Sequence, residues 1–174
     1  MKPVTPMPPT TLVIREAQPD EHDELGRITH LAYLEVFGVS DLGEYGDELR
    51  DVAGRAADAT ILVAVDGGRL IGGVTYVSDA TSSMAEWPDA DTAGFRMLAV
   101  DPELQGSGAG RALTHACIDR ARAEQRAAVV LHTTQYMERA RAMYERLGFR
   151  RYQAVDIRFG SLDILGYRLE LGGR

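Results

Sequence analysis

The order of β-rich runs and helix-period patterns in this chain predicts a mixed α/β layer fold. Three observations carry the prediction. Apolar, β-branched runs alternate with stretches of 3.6-residue periodicity in an order that one sheet flanked by helices satisfies. Asp66-Gly67-Gly68-Arg69 separates two β-rich runs and reads as a tight hairpin turn. The apolar run Phe95 to Val100 leads through a glycine-rich turn straight into a helical pattern. Together they give about seven strands and about four helices in one domain over residues 12–174.

Length and composition bound the function. The 174 residues are 45% hydrophobic and 26% charged, ordinary for a globular domain with a sizeable core. The formal net charge of −7 speaks against nucleic acid as a partner. No apolar run reaches the length of a membrane span. A single cysteine, Cys117, excludes an internal disulfide framework and suits a reducing compartment. The opening residues have one lysine and no apolar centre, so they do not read as a secretory signal, and a cytoplasmic location is expected. His22, His30 and His115 have no metal-ligand spacing, so no metal is expected.

Residues 1–11 hold four of the seven prolines and read as a disordered or extended lead. Leu12 to Glu16 reads as the first strand. Pro19-Asp20 signals a helix start, with Leu25, Ile28, Ala32 and Val36 at helical spacing and Gly38 as the stop. A second helix is expected from Glu44 to Ala57. Thr60 to Val65 and Leu70 to Val77 form the hairpin, and polar Ser78 to Thr92 reads as a loop. After the strand ending at Val100 comes a helix carrying Leu113, Ala116, Cys117 and Ala121 on one face. Then follow a strand from Ala127 to Thr133, a helix from Met137 to Leu147 ended by Gly148, and strands Arg151 to Ile157 and Ile164 to Leu171.

The chain is organised around Phe95 to Arg111. Asp101-Pro102 ends a buried strand, and Gln105-Gly106-Ser107-Gly108-Ala109-Gly110 opens into Arg111-Ala112-Leu113. Glycines let backbone approach a ligand, and the free N–H groups of a helix N-terminus favour a phosphate. A P-loop needs Lys-Ser/Thr after its last glycine, where this chain has Arg111-Ala112. A dinucleotide fingerprint needs glycine at 111 or 113, where it has arginine and leucine. The pattern that fits is Gln/Arg-x-x-Gly-x-Gly/Ala, as Gln105, Gly108 and Gly110. Here the chain resembles the GNAT superfamily of acetyl-CoA-dependent N-acetyltransferases, in which this turn cradles the CoA pyrophosphate. Ala140 to Phe149 resembles the superfamily's A-x-x-L-Y-E-x-x-G-F segment, in which the tyrosine sits near the cofactor sulfur.

The resemblance implies a central, mostly antiparallel twisted sheet whose fourth and fifth strands splay apart. It implies transfer of an acetyl group from acetyl-CoA to a primary amine of a small molecule or peptide, by direct attack in a ternary complex. A catalytically silent acyl-CoA-binding or regulatory module on the same fold is the alternative, and a homodimer is compatible with either. Gly106, Ser107, Gly108, Ala109, Gly110 and Arg111, with Gln105, would hold the cofactor. The Arg111 side chain either adds charge to the pyrophosphate or stays solvated. Leu98, Ala99 and Val100 would offer backbone to the pantetheine and thioester. Tyr144 would protonate the leaving thiolate, or serve as a core aromatic. The base is open among His132, Glu86 and Asp91, because Thr92 to Phe95 lacks the carboxylate many relatives carry there. Met137 stands where relatives often have asparagine. The segments expected to bound the acceptor, from the first helices, the loop 78–92 and residues 156–166, carry an excess of carboxylates, which predicts a cationic amine.

Overall fold

In the computed structural model, which describes residues 11–172, one eight-stranded sheet runs in the order β1-β2-β3-β4-β5-β8-β6, with β7 paired to β8. The strands are β1 Leu12–Glu16, β2 Thr60–Asp66, β3 Arg69–Val77, β4 Thr92–Val100, β5 Ala128–Thr134, β6 Arg150–Arg151, β7 Ile157–Phe159 and β8 Leu162–Glu170. The helices are α1 His22–Phe37, α2 Gly43–Arg50, α3 Val52–Ala56, α4 Ala109–Ala123 and α5 Glu138–Arg146. Every pairing is antiparallel except β4 with β5, which α4 connects. The mixed α/β architecture is the expected one, and the proline-rich lead over 1–10 lies outside the described residues. Among the described residues no helix is long and apolar enough to cross a membrane.

β2 shows why its run is apolar without alternation. Leu62 and Ala64 pack on one side with Leu113 and Cys117 of α4. Ile61 and Val63 pack on the other with Leu25 of α1 and Val52 of α3. A strand covered on both faces has no polar side to show.

Two expected elements are divided. The helix over Glu44 to Ala57 breaks at Asp51, whose ψ of 65° leaves the helix and whose carboxylate accepts the Gly54 N–H at 2.9 Å. Aspartate satisfies a helix start better than a helix middle. The strand over Arg151 to Ile157 becomes β6, a 3-10 turn at Gln153–Val155, and β7. The Asp156 carboxylate accepts the Gly166 N–H at 2.7 Å and pairs with Arg151, also at 2.7 Å, which draws the chain off the sheet before it returns. Hence there are eight strands and five helices among the described residues, one more of each than the periodicity indicates.

The loop from Ser78 to Asp91 is fixed by Trp87, which is buried and donates its indole N–H to the Thr92 carbonyl at 2.9 Å. The ring lies over Gly94, where a Cβ would come within 2.3 Å of Trp87 Cη2 and 2.6 Å of the Val130 carbonyl oxygen. Gly94→Ala should therefore lower stability by about 1–3 kcal/mol, the scale of core overpacking. Urea denaturation checks it; an unchanged midpoint would mean the ring is not locked against the strand.

Candidate active site

The site begins where β4 leaves β5. Their ladder runs from Thr92↔Ala128 to Phe95↔Leu131 and stops. Beyond it, β4 stays on β3, while β5 continues on β8 to Thr134↔Ile164. The cause lies in β4. Gly73 pairs Ala99 but Thr75 pairs Arg96, so β4 carries an extra residue, and Met97 takes a φ of 53°. A bulge of this kind sharpens strand twist and ends pairing. The backbone of Met97 to Val100 is thereby left without a ladder partner on the β5 side. The expected splay is present, and nothing in the composition of β4 marks the bulge that makes it.

The fork opens into a cleft of about 810 Å3 lined by Phe95 to Val100, Gln105 to Arg111, and residues of α1 and α5. At one end lies the glycine turn. Gly106 and Gly108 have φ of 87° and 86°, a conformation glycine adopts without strain. A Cβ on either would meet nothing within 4 Å. Gly108 caps α4 without a side chain of its own, so the first-turn N–H groups face the cleft with the helix dipole behind them. Arg111, Arg139 and Arg146 line the cleft, are exposed, and pair with no carboxylate among the described residues. Such guanidiniums give an anion site in an acidic chain. Arg146 escaped the motif reading because it occupies a variable position of the Tyr144 segment, and Arg139 because it lies one residue before that segment.

Tyr144 lies mid-cleft, buried between Phe95 and Phe149 at ring-centroid distances of 6.0 and 5.8 Å. Its hydroxyl has no hydrogen-bond partner among the described residues. Burial, with a small contribution from Cys117, pushes the phenol well above its ordinary range. Met137 also lines the cleft, and its sulfur accepts the Thr133 hydroxyl at 3.4 Å. Gln135 Oε1 accepts the Asp163 N–H at 3.0 Å. Both groups are thus engaged within the protein.

At the crotch of the fork stand Arg96, Glu86 and His132. Glu86 reaches Arg96 at 2.9 Å through Oε1 and His132 Nδ1 at 2.9 Å through Oε2. The Nδ1 contact is at ion-pair distance but off the line of an ideal N–H donation. His132 Nε2 lies 2.7 Å from the Val155 carbonyl oxygen and must donate to it, since a carbonyl only accepts. Burial raises the Glu86 carboxyl, but the His132 contact and the Arg96 charge outweigh it and hold the group below its usual range. Of the three candidate bases, the structure brings Glu86 and His132 together. Asp91 is exposed before the far end of β4 and does not line the cleft.

The acidic surplus around the acceptor end is smaller than the sequence indicates. Asp79 pairs with Arg126, Glu86 with Arg96, Asp89 with Arg168, Asp156 with Arg151, and Asp163 with Arg158, at distances from 2.7 to 3.5 Å. Apart from Arg158, the counterions Arg96, Arg126, Arg151 and Arg168 lie outside the counted segments.

A split parallel strand pair over a buried tyrosine, with a glycine turn at a helix start and exposed guanidiniums along one cleft, is the arrangement of an acyltransferase fold. The chain belongs to the acetyltransferase (GNAT) family, whose pattern it matches over residues 23–149. A mycothiol acetyltransferase from Beutenbergia cavernae is 47% identical over 62 residues, which is 36% of this chain and 21% of that protein. The chain therefore matches about a fifth of the length of that curated relative. In fold it is similar to a GNAT acetyltransferase from Staphylococcus aureus Mu50, with a TM-score of 0.73, 16% identity, and 93% and 100% of the two chains covered. It is also similar to the PaiA N-acetyltransferase of Thermoplasma acidophilum in complex with coenzyme A, with a TM-score of 0.67, 15% identity, and 90% and 98% covered.

Proposed function

We propose that this chain transfers an acetyl group from acetyl-CoA to a primary amine by direct attack in a ternary complex. The observation that carries the reading is the fork itself. It sets unpaired β4 backbone, the unpartnered Tyr144 hydroxyl and the α4 N-terminus along one cleft. The coenzyme A complex of the Thermoplasma relative supports the choice of donor.

In this reading the α4 N–H groups and Gly106 to Arg111 hold the pyrophosphate, with Arg139 and Arg146 adding charge along the cleft. The Leu98 to Val100 backbone aligns the pantetheine arm, and an N–H of that segment polarises the thioester carbonyl. The amine enters from the α1–α2 side and attacks the carbonyl carbon. The C–S bond breaks as the C–N bond forms, and the sulfur leaves toward Tyr144. The amine proton passes by water to the Glu86–His132 pair. Cys117 does not serve as an acyl carrier in this reading, because it is buried and burial raises its thiol pKa.

A thiol-release assay across an amine panel, beside direct acetyl-CoA binding, tests the proposal. Turnover with at least one primary amine supports it. Binding without turnover on any amine would make the chain a silent module.

Glu86→Gln tests the base. Catalysis should fall about three- to tenfold, less than the hundredfold or more of a whole general base, since His132 and water remain. Acetyl-CoA affinity should hold. The same variant has a stability signature. The folded carboxyl is held below the ordinary value of about 4.3, so its contribution is complete above that pH and is lost as pH falls through the folded value. Glu86→Gln should be less stable than wild type at pH 7, and the gap should close as pH falls through the folded carboxyl's lowered value. A gap independent of pH contradicts the ion pairing.

A further inference from the structure

One side of the cleft is a continuous strip of aromatic rings that the reaction above does not use. Tyr33 and Phe37 of α1 meet at 6.2 Å, Tyr33 meets Tyr45 of α2 at 6.0 Å, and Phe37 meets Tyr136 before α5 at 6.3 Å. Tyr33 and Tyr136 line the cleft. Tyr45 and Tyr136 are 37% and 57% exposed, so the strip is not core. The Tyr33 hydroxyl lies close enough to Arg96 for its charge to act on it. The strip therefore borders the cleft through Tyr33 and Tyr136 and reaches solvent through Tyr45 and Tyr136.

Aromatic faces take either an apolar group or a cation, and the charges nearby decide between them. Arg55, whose charge also reaches Tyr33, is buried and hydrogen-bonds to Thr75 Oγ1 and the carbonyls of Glu48 and Leu49, with no carboxylate in salt-bridge contact. Glu86, the carboxylate at the inner end, already has Arg96 and His132. Around Tyr33 a second cation on the acceptor would meet the charges of Arg55 and Arg96, while the carboxylates that act on the strip, Glu86 and Glu48, act on Tyr45. An apolar body meets rings and no charge penalty.

We infer that the Tyr33–Phe37–Tyr45–Tyr136 strip holds the non-reacting body of the acceptor, and that this body is apolar, aromatic by preference, and one or two carbons from the primary amine. The inference rests on the acetyl-transfer reading above and names its substrate class. It also replaces the expectation of a cationic amine selected by carboxylates with an amine selected by ring contact.

The experiment compares 2-phenylethylamine, ethanolamine and 1,4-diaminobutane as acceptors at saturating acetyl-CoA. These share a primary aliphatic amine and differ in an aryl, hydroxyl or cationic body. The expected kcat/KM for the aryl amine exceeds the other two by about tenfold or more, the scale on which apolar pockets discriminate. Tyr45→Ala and Tyr136→Ala, made separately, should each cut the aryl preference by about threefold or more, with acetyl-CoA affinity retained. Equal efficiencies, or a preference for the diamine, overturn the inference while leaving acetyl transfer standing. A ring variant that loses acetyl-CoA affinity places that ring in the donor site and overturns its assignment. Bound acetyl-CoA with no turnover on any amine, these three included, overturns both readings together.

Discussion

Gly108→Asp is expected to weaken acetyl-CoA binding by a hundredfold or more while the protein stays folded. Gly108 caps α4 with a φ of 86°, and its Cβ position looks into open space. The left-handed conformation costs an L-residue about 1–2 kcal/mol, and aspartate bears it better than most. A carboxylate at a helix start also recovers part of that strain by accepting first-turn N–H groups. The same carboxylate occupies the anion site. Two unit charges about 4 Å apart near a protein surface repel by about 4 kcal/mol, which is more than a hundredfold in affinity, before the lost N–H groups are counted. Calorimetric titration with acetyl-CoA, beside a thermal melt, reads both quantities. Gly108→Ala separates the causes, since it carries the strain without the charge. If alanine weakens binding as much as aspartate, backbone geometry and not anion binding explains the loss. Unchanged affinity in a folded Gly108→Asp protein removes the phosphate assignment.

The parts of this fold that the sequence reveals are those written in periodicity and in glycine. The hairpin at Gly67-Gly68, the α4 start at Gly108 and the end of α5 at Gly148 all need backbone that glycine adopts freely, with φ from 56° to 99°. The core helices and β2 follow from apolar spacing. The fork does not. Its bulge rests on Met97, a residue with no marked preference for positive φ, held there by the pairing of Arg96 and Ala99 on either side of it with β3. The Glu86–His132–Arg96 cluster was half legible. His132 and Glu86 are visible as base candidates, but Arg96 reads as one polar break in an apolar strand until the loop brings Glu86 over it. That loop is placed by Trp87 packing on Gly94, a contact between residues seven apart that no period describes. The ring strip was invisible for the same reason. Its members come from α1, α2 and the turn before α5, and only the sheet puts Tyr136 beside Phe37. The acidic surplus misled because a count of carboxylates by segment leaves out arginines that arrive from β4, β6 and β8.

Tyr144→Phe is expected to lower turnover by tenfold to a hundredfold with acetyl-CoA affinity and stability almost unchanged. The ring sits between Phe95 and Phe149, and phenylalanine keeps both contacts. The hydroxyl has no protein partner, so removing it leaves no donor or acceptor unpaired, and large destabilisation has no cause. The hydroxyl's use must then lie with the ligand. Burial pushes the phenol above its ordinary value of about 10, so it holds its proton throughout the working range. It is a weaker acid than a thiol of about 8.5, and outright transfer to the thiolate runs uphill. What it supplies is a fixed O–H aimed at the sulfur as charge develops there, in a water-poor cleft where such a bond counts for more than in water. Two consequences separate this from a packing role. The rate deficit of Tyr144→Phe should be constant from about pH 6 to pH 9, because the phenol does not titrate in that window. The deficit should also shrink for an acetyl donor whose leaving thiol is more acidic, since a better leaving group needs less help. A wild-type rate in Tyr144→Phe, or a deficit indifferent to the leaving thiol, would return Tyr144 to the core and leave the departing sulfur to solvent.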